Sequence, residues 1–196
     1  PITKKTITQY CKIQHDPVLG PTWVPSMRKE LHHLVQGKPG ITKATNTIFF
    51  LDHSQIRNIP KDRTVTYARV VIDHRPQKED PNRVRITVGE NLINYPFELT
   101  TCTTDMLSSK LLWNSTISTP GAKFGGADIQ NMYLETPLDR YEYMRMAVSL
   151  FPSDIITHYQ LEGKILNGYI YIEIRKGMYG LPQAGILANK LLKKRL

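Results

Sequence analysis

Apolar residues recur at helical spacing between residues 23 and 36, where Trp23, Met27, Leu31, Leu34 and Val35 share one face. Pro25 stands in the first turn of that helix, where a missing N–H costs little, and Gly37 suits its C-terminus. A loop over 38–46 leads to a short apolar strand at 47–51. Two runs rich in Val, Ile and Thr, 64–73 and 83–88, predict strands. The charged stretch between them holds Pro76 and Pro81, so the pair reads as a hairpin with a long polar tip.

The pattern continues with a helix over 103–117, for which Thr104 and Asp105 offer caps. Strands are predicted at 124–134 and 141–146, and a helix at 152–161. Residues 169–175 alternate cleanly, with Ile170, Ile172 and Ile174 on one face and Tyr169, Tyr171, Glu173 and Arg175 on the other. Residues 177–182 turn the chain, and a last helix runs from Ile186 to the end. Residues 1–20 are polar and punctuated by Pro17 and Gly20, which predicts a loose or extended arm. The expected class is α+β, an antiparallel sheet with helices packed on one face.

The chain has 196 residues, of which 40% are hydrophobic and 22% charged, enough for a domain with a real core and too apolar for a disordered one. Its net charge of +9 favours polyanionic partners, nucleic acid or an anionic membrane surface. The two cysteines, Cys11 and Cys102, stand far apart without ligand-like neighbours, so neither a disulfide framework nor a zinc site is indicated and a reducing intracellular compartment is the default. Asn114-Ser115-Thr116 fits a glycosylation sequon that no signal peptide precedes. No apolar run approaches the roughly 20 residues needed to span a bilayer. Without Met at position 1, and with Leu196 inside a growing helix, the sequence reads as a piece of a longer protein.

Asp128 stands out as a charge in an otherwise apolar predicted strand, after Phe124-Gly125-Gly126-Ala127. A carboxylate there needs a cation or hydrogen-bond donors, and magnesium prefers carboxylate oxygen. The alternative is an Asp that caps the next turn. Tyr133, five residues on, is either a core ring with its hydroxyl at the edge or a contact to a ligand. Gln183 opens a helix after Pro182, and its amide can both donate and accept. Lys78, Arg83 and Arg85 flank the hairpin tip, where such cations either stay solvated or close over a triphosphate. The six histidines show no metal-ligand spacing, and no Gly-rich phosphate loop is present.

Asp128-Ile129-Gln130-Asn131-Met132-Tyr133-Leu134 with the following Pro137-Leu138-Asp139-Arg140-Tyr141, the run Tyr171 to Ala184 ending Gly180-Leu181-Pro182-Gln183-Ala184, and the helix opening at Trp23 together resemble the reverse transcriptase of copia-type LTR retrotransposons. The likeness spans most of residues 22–196. It implies a right-hand polymerase fold, with an N-terminal arm at 1–21, a fingers-like subdomain at 22–122 and a truncated palm at 123–196. It implies RNA-directed DNA synthesis in the full-length enzyme by two-metal phosphoryl transfer with two magnesium ions (Mg2+).

By that resemblance Asp128 is a catalytic metal ligand assisted by the backbone carbonyl of Ile129. Tyr133 blocks a ribose 2′-hydroxyl, Gln183 touches the incoming nucleotide, and Arg85 and Lys78 bind its triphosphate. The implied partners are an RNA or DNA template-primer, deoxynucleoside triphosphates and the rest of the polyprotein, with no membrane. The implied location is a cytoplasmic virus-like particle or the nucleus. The family's later aspartate pair has no match here, so the piece alone is expected to be inactive. The other reading is a non-catalytic, basic nucleic-acid-binding module from a decayed or domesticated element.

Overall fold

The computed structural model describes residues 9–40, 42–101 and 104–196. A short helix α1, Tyr10–Ile13, is followed by α2, Gly20–Leu34. Residues 9–20 are therefore no loose arm: Tyr10 and Ile13 are buried in the core, and the expectation for residues 1–8 lies outside the described residues. Helix α2 starts three residues earlier than its apolar pattern predicts, because Pro21 is preset for a first turn and the Asp16 carboxylate accepts the N–H groups of Val18 and Leu19.

Strand β1 is Ile48–Phe50, and α3, His53–Arg57, opens on a capping box made by Asp52 and Gln55. Strands β2, Val65–His74, and β3, Asn82–Val88, form the expected hairpin. Helix α4 is Met106–Ser118, capped by Asp105 accepting from the Ser108 N–H; Cys102 and Thr103 lie outside the described residues. Then come β4, Pro137–Ala147, α5, Ser153–His158, a two-residue β5, Ile165–Leu166, β6, Tyr169–Lys176, and α6, Ala184–Arg195.

The class is α+β, but the sheet is mixed rather than antiparallel. Its order is β1-β6-β4-β2-β3, with β5 beside β6, and β2 runs parallel to β4. The parallel pair arises because the chain leaves the hairpin and returns only after residues 89–136, entering β4 in the direction of β2. One face of the sheet carries Ile48, Phe50, Met144, Met146, Ile170, Ile172, Ile174, Val84 and Ile86. These pack on Trp23, Met27, Leu31 and Leu34 of α2 and on Ile155 of α5.

The strand expected at 124–134 does not form. Residues 122–129 are irregular and 130–135 are a run of turns. Asn131 sits at φ 56, its carbonyl accepts from the Glu135 N–H, and Tyr133 accepts from Thr136. These local bonds, with Gly125-Gly126 before them and Pro137 after, offer the backbone partners that a sheet neighbour would otherwise supply. Phe124 and Ile129 are correspondingly exposed. No helix among the described residues is long and apolar enough to cross a membrane.

Candidate functional site

The outer edge of β3 would present unpaired N–H groups. Two are covered: the Val88 N–H donates to the Tyr179 carbonyl at 2.9 Å, and the Ile86 N–H donates to the Glu30 carboxylate at 3.3 Å. The first contact seats residues 177–180 against the hairpin, and the approach is close enough to require glycine. Gly180 is at φ +90, and a Cβ there would stand 2.3 Å from the Val88 carbonyl oxygen. Gly177 serves the neighbouring turn by its lack of a side chain, since a Cβ there would meet the Tyr133 carbonyl oxygen at 2.6 Å.

These contacts bring β3, the turn at 130–135 and the residues after β6 around one open groove of about 660 Å³. Asp128, Ile129, Tyr133, Arg83, Arg85 and Tyr179 line it. Arg85 lies with its guanidinium carbon 4.9 Å from the centre of the Tyr179 ring, and that ring meets Tyr133 edge-on at 6.1 Å. The Arg85 Nε is buried without a hydrogen-bond acceptor among the described residues. A buried charged donor left open is costly, and an anion entering the groove would satisfy it.

Five of the residues singled out by the sequence thus share the groove: Asp128, Ile129, Tyr133, Arg83 and Arg85. Asp128 reaches it from an irregular exposed segment and not from the end of a buried strand. The other two lie elsewhere. Lys78 is exposed in the hairpin tip and is not part of the lining. Gln183 is fully buried; its Nε2 donates to the Glu142 Oε1 at 3.1 Å, and its own Oε1 has no partner among the described residues. Glu142 is buried too and takes a second contact from the Arg140 Nε at 3.0 Å. Burial pushes the Glu142 carboxyl up, against the pull of Arg140.

Sequence reasoning passed over Tyr179 and Glu30 as site residues. The signal for Tyr179 is its place directly before the Gly180 that must approach β3. Glu30 carries a weaker one, a carboxylate at helical spacing from Met27 and Leu34 and so near the buried face.

Magnesium takes about six oxygens, commonly one or two carboxylates with waters and substrate phosphates. An aspartate carboxylate beside a backbone carbonyl is donor chemistry that one such ion takes when shared with phosphate. Among the described residues Asp128 is the only carboxylate lining the groove, and no group of three or more His, Cys, Asp or Glu could hold a metal. No family model, curated protein or solved structure matches the chain.

Proposed function

We propose that this chain is a fingers and partial-palm piece of a copia-like reverse transcriptase, and that the groove takes the deoxynucleoside triphosphate. The observation that carries this is the convergence of one carboxylate, two tyrosine rings and two arginines on a single groove, from segments far apart in the chain. Arg85, with its open Nε, and Arg83 bind the phosphates by charge-assisted hydrogen bonds. Tyr133, packed edge-on against Tyr179, is the ring that would face the sugar and select against a 2′-hydroxyl. Asp128 and the Ile129 carbonyl would hold magnesium, which supplies Lewis-acid stabilisation of the phosphoryl charge when bound. Gln183, buried and bonded to Glu142, is not a direct nucleotide contact in this reading.

One carboxylate cannot place two ions, so the piece by itself does not extend a primer. In the intact enzyme Asp128→Asn abolishes synthesis while template-primer binding persists, and Tyr133→Val admits ribonucleotides. Primer extension with each variant tests both roles. Unchanged turnover in the first, or unchanged sugar discrimination in the second, removes that residue from the mechanism. Magnesium-dependent synthesis by the present chain alone would overturn the assignment as a partial site.

A further inference from the structure

The sheet face turned away from α2 and α5 carries a band of aromatic and arginine side chains that the groove does not use. Paired residues of neighbouring strands project to the same side, so the registers define the band. Tyr143 lies opposite Glu173, whose other neighbour is Phe49. Arg145 lies between Tyr171 of β6 and Tyr67 of β2, and Ala147 opposite Tyr169.

The Arg175 guanidinium carbon is 4.0 Å from the Phe49 ring centre and 5.4 Å from that of Tyr141, and Arg145 is 4.7 Å from that of Tyr169. Tyr67, Tyr141 and Arg145 are exposed, and Tyr169, Tyr171 and Arg175 half-buried. Glu173, the carboxylate of the band, is bound by Arg175 at 2.6 Å and Tyr143 at 3.3 Å. Arg145 forms no ion pair among the described residues.

We propose that this face is a platform for single-stranded nucleic acid. Bases stack on rings and on guanidinium planes alike, and a chain of unpaired bases can splay across a sheet to reach them. Same-face residues stand about 6.8 Å apart along a strand and about 4.8 Å across strands, spacings that offer successive bases separate partners. Tyr141, Tyr169 and Tyr171 supply the stacking surfaces, while Arg145 and Arg69 supply charge for the phosphates. A duplex keeps its base faces covered and finds only the charge.

The face also continues toward the groove. Tyr67, Arg69 and Val71 share its side by the alternation of β2, and Val71 lies opposite Arg85. The proposal rests on the nucleic-acid reading for the class of its partner, but not on any chemistry in the groove.

The test is fluorescence anisotropy of a labelled oligouridylate of about 12 nucleotides, a length within the range such surfaces cover, beside a duplex of equal length. We expect the single strand to bind about tenfold tighter than the duplex. Tyr141→Ala combined with Arg145→Ala should weaken the single strand about tenfold and the duplex little. The groove pair Arg83→Ala and Arg85→Ala should leave most single-strand affinity in place.

If only the groove pair weakens binding, the platform is wrong and the groove reading stands. If the platform variants weaken binding but no triphosphate binds the groove, the reverse holds. If no nucleic acid binds, the platform falls, and triphosphate titration alone decides the groove. If the platform variants abolish self-association without changing oligonucleotide affinity, the face is a contact between copies and the platform is again wrong. Photocrosslinking of an iodouracil strand to the unsubstituted chain keeps the test open should a variant misfold. Crosslinks at Tyr141, Tyr169 or Tyr171 support the platform, and crosslinks confined to other residues overturn it.

Discussion

Glu30 sits where α2 meets the edge of β3, half-buried, with its carboxylate accepting from the Ile86 N–H and with His33, Arg83 and Arg85 as charged neighbours. Burial outweighs those neighbours and holds its carboxyl above the ordinary 4.5. A raised carboxyl binds its proton more tightly in the fold than in the unfolded chain. The stability it contributes is present below the ordinary value and is lost as pH climbs through the raised one. Glu30→Gln keeps an oxygen for Ile86 and carries no charge to desolvate. Its thermal midpoint should exceed that of the parent at pH 7 and match it at pH 4. A variant less stable than the parent at pH 7 would mean that attraction to Arg83 and Arg85 dominates.

The groove residues read from the sequence were those whose type is anomalous for their position, such as Asp128 in an apolar run and cations beside a hairpin. What local pattern could not convey is the partner across space. Gln183 turned inward because buried Glu142, about forty residues earlier in the chain, needed a donor there, while the hairpin tip leans on α2 through the Lys29–Asp80 ion pair and leaves Lys78 exposed.

The turn after β6 is the element on which the groove depends, since it carries Tyr179 and seats it against Val88. Gly180→Ala forces an L side chain into a left-handed backbone and into a carbonyl oxygen 2.3 Å away. Such strain costs about 2–3 kcal/mol, which for a chain of this size lowers the midpoint by about 4–12 °C. Arg85 would lose its ring partner at the same time, so triphosphate binding should weaken beyond what the lost stability explains. Calorimetry and nucleotide titration of the same variant check both, and an unchanged midpoint would show that the turn moves freely.

Elements with a clear period were legible: the alternation in β6, the β2–β3 hairpin and the helical spacing of α2 all appear within a few residues of their predicted ends. Residues 124–134 misled because an apolar run says nothing about whether a neighbouring strand exists to pair with it. The return of β4 parallel to β2 was equally hidden, being set by a connection of nearly fifty residues and not by any strand's own composition.

At the scale of the whole molecule, stability is unevenly held. The centre of the sheet, Met144, Met146, Ile170 and Ile172, is fully buried between helices and paired strands. Helix α4 is the opposite case. Met106, Leu107, Leu111, Leu112, Trp113 and Ile117 are all exposed, and no residue of the helix is buried. Trp113 packs edge-on against Phe124 at 6.1 Å, itself exposed.

An isolated helix of 13 residues is marginal in water, and the Asp105 cap adds only about 1 kcal/mol. In the free chain its amides should open without global unfolding. The amides of Ile170 and Ile172 should open only with the whole domain, a difference on the order of a thousandfold or more in protection. Hydrogen exchange read by mass spectrometry separates the two peptides. Equal protection in α4 would require its apolar face to be covered in solution. Replacing Leu107 and Leu111 with Glu would then remove that protection in α4 while leaving the exchange of β6 as it was, because nothing in the core touches either side chain.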